Sequence, residues 1–193
     1  QDSFGLDQVV VSTYQAVSGA GYPGVPSLDI IGNVVPFIKG EEEKMEAEAV
    51  KILGSYRDGK IHDASFQVLA CCVRVPVHDG HLESLVVKTT KEASAEEYAK
   101  AMRSFRSEPQ RLELPSAPRV PIIVREEADR PQPLWDVNAG EPARAKGMAV
   151  TVGRVRKKDK YVKFFLLSHN TIRGGAGGSV INAELAHAKG MLR

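Results

Sequence analysis

Apolar and polar positions alternate or cluster along the chain in a way that separates strands from helices. Residues 6–14 (LDQVVVSTY) are valine-rich and read as a buried strand. The loop after it, Ser18-Gly19-Ala20-Gly21-Tyr22-Pro23-Gly24, carries three glycines that let other groups approach the backbone closely. From Glu41 to Gly54 the period changes to that of a helix. Met45, Ala49, Ile52 and Leu53 recur at helical spacing, acids fill the first turn and Gly54 closes it. Residues 64–75 and 82–90 read as two strands joined as a hairpin by the tight segment 76–81. Ser94 and Glu97 then form a capping box that opens a helix with Tyr98, Ala101, Met102 and Phe105 on one face.

Residues 107–142 hold seven prolines and read as a long connection with one short strand near 120–124. A hairpin follows, 148–156 and 161–168, with the basic run Arg154 to Lys160 as its solvated turn. A glycine cluster, Gly174 to Gly178, leads into a last helix from about Val180 to Met191. Hairpins followed by helices, without βαβ alternation, predict an α+β domain whose sheet is largely antiparallel, with helices packed on one face. The expected division is a catalytic and pairing domain over 1–172, then a glycine-rich turn and C-terminal helix over 173–193.

Composition narrows the functional classes. With 193 residues, 42% hydrophobic and 26% charged, the chain suits one globular domain. A net charge of +2 with no long basic face argues against nucleic acid. No apolar run reaches the roughly 18 residues of a membrane span. The cysteines, Cys71 and Cys72, are adjacent and cannot staple distant segments, which points to a reducing, cytoplasmic setting. Within a strand, one packs in the core and the other faces away; neither has a basic neighbour to activate it.

The candidate chemistry is sparse. The glycine cluster places valine where a dinucleotide fingerprint needs its third glycine, and no second strand follows. His78 and His81 flank Asp79, but no further ligand lies at metal spacing, so no metal is expected. Arg74 and His81, at the ends of two strands, could set a carboxylate-binding guanidinium beside a proton-transfer group. Glu48 and Lys51, three apart, share one helix face.

Four segments, in order, resemble aspartate-semialdehyde dehydrogenases. Thr13-Tyr14-Gln15-Ala16-Val17-Ser18-Gly19-Ala20-Gly21 is similar to the family's active-site glutamine segment. Residues 44–53 (KMEAEAVKIL) resemble its helix with a substrate-binding glutamate and a phosphate-binding lysine. Val73-Arg74-Val75 with His81 seven residues after the arginine resembles its arginine–histidine pair. The ending, Ser168 to Gly177, resembles the archaeal and fungal branch in particular.

The resemblance implies a fold like the C-terminal domain of glyceraldehyde-3-phosphate dehydrogenase. It also implies NADPH-dependent reduction of L-aspartyl-4-phosphate to aspartate-4-semialdehyde with release of phosphate, in the route to threonine, methionine and lysine, and pairing into a homodimer or tetramer. By position it makes His81 the acid/base residue and Gln15 the group that orients the acyl intermediate. Arg74 binds the substrate carboxylate, Glu48 the ammonium and Lys51 the phosphate, while Gly175, Gly177 and Asn182 face the cofactor. The family's nucleophilic cysteine sits in a Ser-Asn-Cys-Ser-like segment that these residues do not contain, and the NADP-binding domain is expected outside them as well. The chain therefore reads as a fragment that is inactive alone. Two other readings remain open: a malonyl-CoA reductase-like domain and a noncatalytic pairing module.

Overall fold

A computed structural model describes residues 1–192. In chain order the elements are β1 (Gln8–Gln15), α1 (Ser27–Ile30), α2 (Glu41–Ile52), β2 (Ser55–Arg57), β3 (Lys60–His62), β4 (Gln67–Arg74) and β5 (His81–Lys88). There follow α3 (Ala95–Ser104), α4 (Glu108–Arg111), β6 (Ile122–Arg125), α5 (Pro133–Asp136), β7 (Val150–Lys158), β8 (Tyr161–Ser168) and α6 (Gly177–Ala188). Six strands make one mixed sheet in the order β4-β1-β5-β8-β7-β6, and β2 pairs with β3 apart from it. The β1–β4 and β6–β7 pairs are parallel and the other three are antiparallel.

The expected hairpin of residues 64–75 and 82–90 does not form. β1 lies between β4 and β5, hydrogen-bonded to both. The connection instead crosses the end of β1 and is tied to it, with Val75 N donating to Gln15 O (3.0 Å), Ala16 N to Gly80 O (3.1 Å) and Val17 N to Val77 O (2.9 Å). Those bonds satisfy the backbone groups that β1 leaves open at its C-terminal end.

Side-chain alternation gives the sheet two unlike faces. On one, Val11, Val68 and Ala70 are buried under α2 with Phe66, and Val87 and Val162 are buried with Tyr98 of α3. The capping box of α3 forms as its sequence predicts, with Glu97 N donating to Ser94 Oγ and Ser94 N to Glu97 Oε2. The other face leaves Tyr14, Leu69 and Cys71 exposed. Only the corner around Leu167 and Thr151 is closed, by the segment carrying α5, where Pro133 and Val137 meet Gly80. That segment is held by Asp136, 2% exposed, which accepts from Arg130 Nε (2.6 Å) and Gln132 N (2.8 Å).

β4 is an edge strand, and α2 closes it. Cys72 N donates to the Glu42 carboxylate (2.7 Å) and Ala70 N to that of Glu46 (3.0 Å), while Arg74 exchanges two backbone bonds with Val35. The periods agree: four residues of helix advance about 6 Å and two residues of strand about 6.6 Å. A ladder of carboxylates can therefore cap alternate N–H groups that would otherwise recruit another strand. It also fixes the slide of α2, so that the first turn of the helix lies beside Arg74.

At the other end of the chain, Ile181 and Leu185 of α6 pack on Leu114, Ala117, Ala145 and Met148, and Glu184 accepts from the backbone and hydroxyl of Ser116. Among the described residues no helix is long and apolar enough to cross a membrane.

Candidate active site

The strand register assembles the site. Gln15, the last residue of β1, is opposite Arg74 on β4 and opposite His81 on β5, and His81 is opposite Ser168 on β8. Residues paired across a sheet point to the same side, so Arg74, Gln15, His81 and Ser168 form one row on the helix-covered face. With strands about 4.8 Å apart, the backbones of Arg74 and His81 lie roughly 10 Å from each other, on either side of Gln15. Thr13 stands one step back in the row and takes a bond from Gln15 Nε2 (3.3 Å).

Arg74 is 7% exposed, and its Nη1 donates to Ala16 O at 2.7 Å. Burial lowers its pKa, and of the surrounding charges only Glu41 opposes that shift. A buried guanidinium with one neutral acceptor and a distant carboxylate is prepared for an anionic ligand, because a carboxylate restores the favourable field that burial removed. Gly19 makes room for it: a Cβ there would lie 3.1 Å from Arg74 Nη1. The loop carrying Gly19 is held by Asn170, whose Nδ2 donates to Ser18 Oγ (2.8 Å) and whose Oδ1 accepts from Gly80 N (2.8 Å).

Burial also lowers the pKa of His81, the Glu41 carboxylate draws it back up and the Arg74 charge lowers it further. The shift favours the neutral ring, which carries one protonated and one bare nitrogen. Its Nε2 is sealed from solvent without a hydrogen bond, 3.3 Å from Glu83 Oε1 but off the bonding line. With Nε2 closed off, Nδ1 is the nitrogen left to meet a substrate.

Glu48 and Lys51 do not join this row. Seven residues separate Glu48 from Glu41, about 10 Å along the helix axis. Both side chains are exposed and line a cavity with Tyr56 and Ile61 of the β2–β3 hairpin. Because Glu42 and Glu46 pin α2 along β4, it is the first turn that reaches the site. There Glu41 acts electrostatically on both Arg74 and His81, and Lys44 Nζ lies 4.0 Å from Glu41. The sequence alone singled out Glu48 and Lys51, not Glu41 and Lys44. The helix carries Glu-x-x-Lys twice, at 41–44 and 48–51, and the spacing from Gly40 at the helix start favours neither.

His78 turns outward, its side chain 89% exposed and paired with Asp79. Among the described residues no three His, Cys, Asp or Glu side chains are grouped to hold a metal. Cys72 lies in the row behind Arg74, and burial pushes its thiol pKa up, away from a reactive thiolate. Cys71 is on the exposed face.

The expected cofactor residues divide. Gly177 is a packing glycine, since a Cβ there would lie 2.4 Å from Met148 Sδ and 2.9 Å from Ile172 O. Gly175 is open: its nearest neighbour to an added Cβ is Asn170 O at 3.6 Å, and its backbone (φ −133°, ψ −112°) breaks the helical turn before α6. Asn182 is exposed on α6.

Fold and site together define an α+β domain whose sheet sets a buried arginine and a mostly buried histidine in one row with a glutamine between them. The family model for the semialdehyde dehydrogenase dimerisation domain matches residues 1–173, and the chain belongs to that family. It is 52% identical over 182 residues to the aspartate-semialdehyde dehydrogenase of Archaeoglobus fulgidus, covering 94% of this chain and 50% of that protein. It is 37% identical to a malonyl-CoA reductase (NADP) of Metallosphaera sedula, covering 98% and 53%. Among solved structures, the Candida albicans aspartate-semialdehyde dehydrogenase with NADP superposes with a TM-score of 0.87 at 36% identity, over 99% of this chain and 53% of that one. The chain thus spans about half the length of the curated relatives it matches.

Glu83 gives the site a pH signature. Burial raises its carboxyl from 4.5 to about 7, so folding favours the protonated form. That stability is fully present below pH 4.5 and is lost as pH rises through 7. Glu83→Gln removes the titration. Denaturant unfolding should therefore show the wild type losing up to about 3 kcal/mol relative to the variant between pH 4.5 and 8; parallel profiles would contradict the assignment.

Proposed function

We propose that this chain is the substrate-binding, acid/base and pairing part of an NADPH-dependent aspartate-semialdehyde dehydrogenase, which converts L-aspartyl-4-phosphate into aspartate-4-semialdehyde and phosphate. The observation that carries the reading is the row Arg74, Gln15, His81, with the Glu41 carboxylate acting electrostatically on both Arg74 and His81.

An amino acid carries a carboxylate and an ammonium on one carbon, and the row offers one partner for each. Arg74 grips the carboxylate through its forked donors. Glu41, rather than the Glu48 of the sequence reading, takes the ammonium, and Lys44 replaces Lys51 as the cation available to phosphate. Gln15 presents its amide to the acyl group. His81 holds or releases a proton at Nδ1 as the tetrahedral species forms and collapses. Bound NADPH supplies the hydride. The open backbone at Gly175 suits a flat ring.

Malonyl-CoA reductase chemistry fits less well. Its substrate has no ammonium and would leave Glu41 facing Arg74 and His81 without a ligand charge to meet.

The exposed sheet face with Tyr14 and Leu69 supports pairing with a second copy, since an apolar sheet face left in water is the usual mark of an interface. Light scattering at tens of micromolar should give twice the mass of one chain, and a monomer would count against pairing.

Substitutions in the intact enzyme test the roles. Arg74→Lys should lower kcat/KM by about 10- to 100-fold, mainly through KM, as expected for a lost charged hydrogen bond. His81→Ala should lower kcat by about 10²- to 10⁴-fold with KM nearly retained. Glu41→Gln should raise the KM for the semialdehyde by roughly 10-fold or more, as expected for a lost charged contact, while Glu48→Gln should stay near wild type. Normal kcat in His81→Ala, or a larger defect at Glu48 than at Glu41, would overturn the assignment.

A further inference from the structure

Glu83 is a buried carboxyl that the reaction as described does not use. It stands two residues after His81 on β5, so it shares the face of the sheet on which the row lies, and its Oε1 is 3.3 Å from His81 Nε2. Both side chains are mostly buried, 23% exposed for His81 and 21% for Glu83. On its other side Glu83 meets hydrocarbon. Among the described residues its side chain is the single charged one lining a cavity of about 430 Å³ between α2, α3 and the sheet, beside Val11, Leu85, Met45 and Phe164. A carboxyl walled on one side by apolar groups has its imidazole neighbour as the one polar partner at ion-pair distance.

Building on the reading of His81 as the acid/base residue, we propose that Glu83 is its positioning residue: the carboxyl holds Nε2, fixes the ring and leaves the proton of the neutral imidazole on Nδ1, toward substrate. The remaining charged groups facing the ring are Glu41 from α2 and Arg74 from β4, while Gln15 and Ser168 flank it as neutral neighbours. None of these reaches the sealed Nε2, which has no other bonding partner. A protonated Glu83 donates to Nε2, and a neutral imidazole that accepts there must carry its hydrogen on Nδ1.

The ring itself reports the answer. Two-bond proton–nitrogen NMR spectra of histidine-labelled chain distinguish the tautomers directly. At pH 6, where Glu83 is protonated, wild-type His81 should show Nδ1 protonated and Nε2 bare. Glu83→Gln should keep that pattern, because an amide N–H can replace the carboxyl O–H. Glu83→Leu should release the ring into a mixture of tautomers, with the amide spectrum verifying that the variant is folded. In the intact enzyme Glu83→Leu should lower kcat by roughly 10- to 100-fold with KM within about two-fold, and Glu83→Gln should recover most of it. A wild-type ring protonated on Nε2, or a folded Glu83→Leu chain with unchanged tautomer and unchanged kcat, overturns the proposal. If the tautomer responds to Glu83 while His81→Ala keeps full kcat, the positioning contact stands and the acid/base role of His81 falls.

Discussion

β1 runs between β4 and β5 and is hydrogen-bonded along its whole length to both, parallel to one and antiparallel to the other. This double pairing sets the register at which β1 ends, and Gln15 therefore falls level with Arg74 on one side and His81 on the other. A slip of one residue would turn Gln15 to the opposite face and offset the three groups. The crossing connection from Val75 to Gly80, tied to the end of β1, and the α2 carboxylates on the edge of β4 both hold that register.

Burial then gives the row its chemistry. The same low-dielectric surroundings lower the pKa of Arg74 and His81 and raise that of Glu83. Each shift disfavours the charged form, and for the guanidinium, which cannot discharge near neutral pH, the consequence is an unmet demand for an anion. Glu41 supplies part of that demand from the rim. The imidazole and carboxyl respond differently: each is shifted toward its neutral form, so that below about pH 7 a protonated Glu83 can meet a neutral His81 in a hydrogen bond rather than an ion pair.

Much of this was legible in the sequence. Valine richness marked β1, the Ser94–Glu97 box marked α3, and the Gln15 segment with Arg74 and His81 named residues that the sheet register brings into one row. The misplacements have a common cause. Local pattern is blind to which strands become neighbours, so residues 64–75 and 82–90 looked like a hairpin although β1 intervenes. The same blindness affected α2, where two Glu-x-x-Lys pairs look equivalent until Glu42 and Glu46 dock on Cys72 and Ala70. The β2–β3 hairpin was missed despite its Asp58-Gly59 turn, in which both residues have positive φ (52° and 72°), because its three-residue strands are too short for a periodic signal.

A crystal structure of the intact enzyme with L-aspartate-4-semialdehyde bound tests the account most directly. The substrate carboxylate should lie within hydrogen-bond distance of the Arg74 guanidinium, the ammonium at Glu41 and the reacting carbonyl toward Nδ1 of His81. A substrate seated in the cavity beside Glu48 and Lys51, with Arg74 still bonded only to the Ala16 carbonyl, would contradict it.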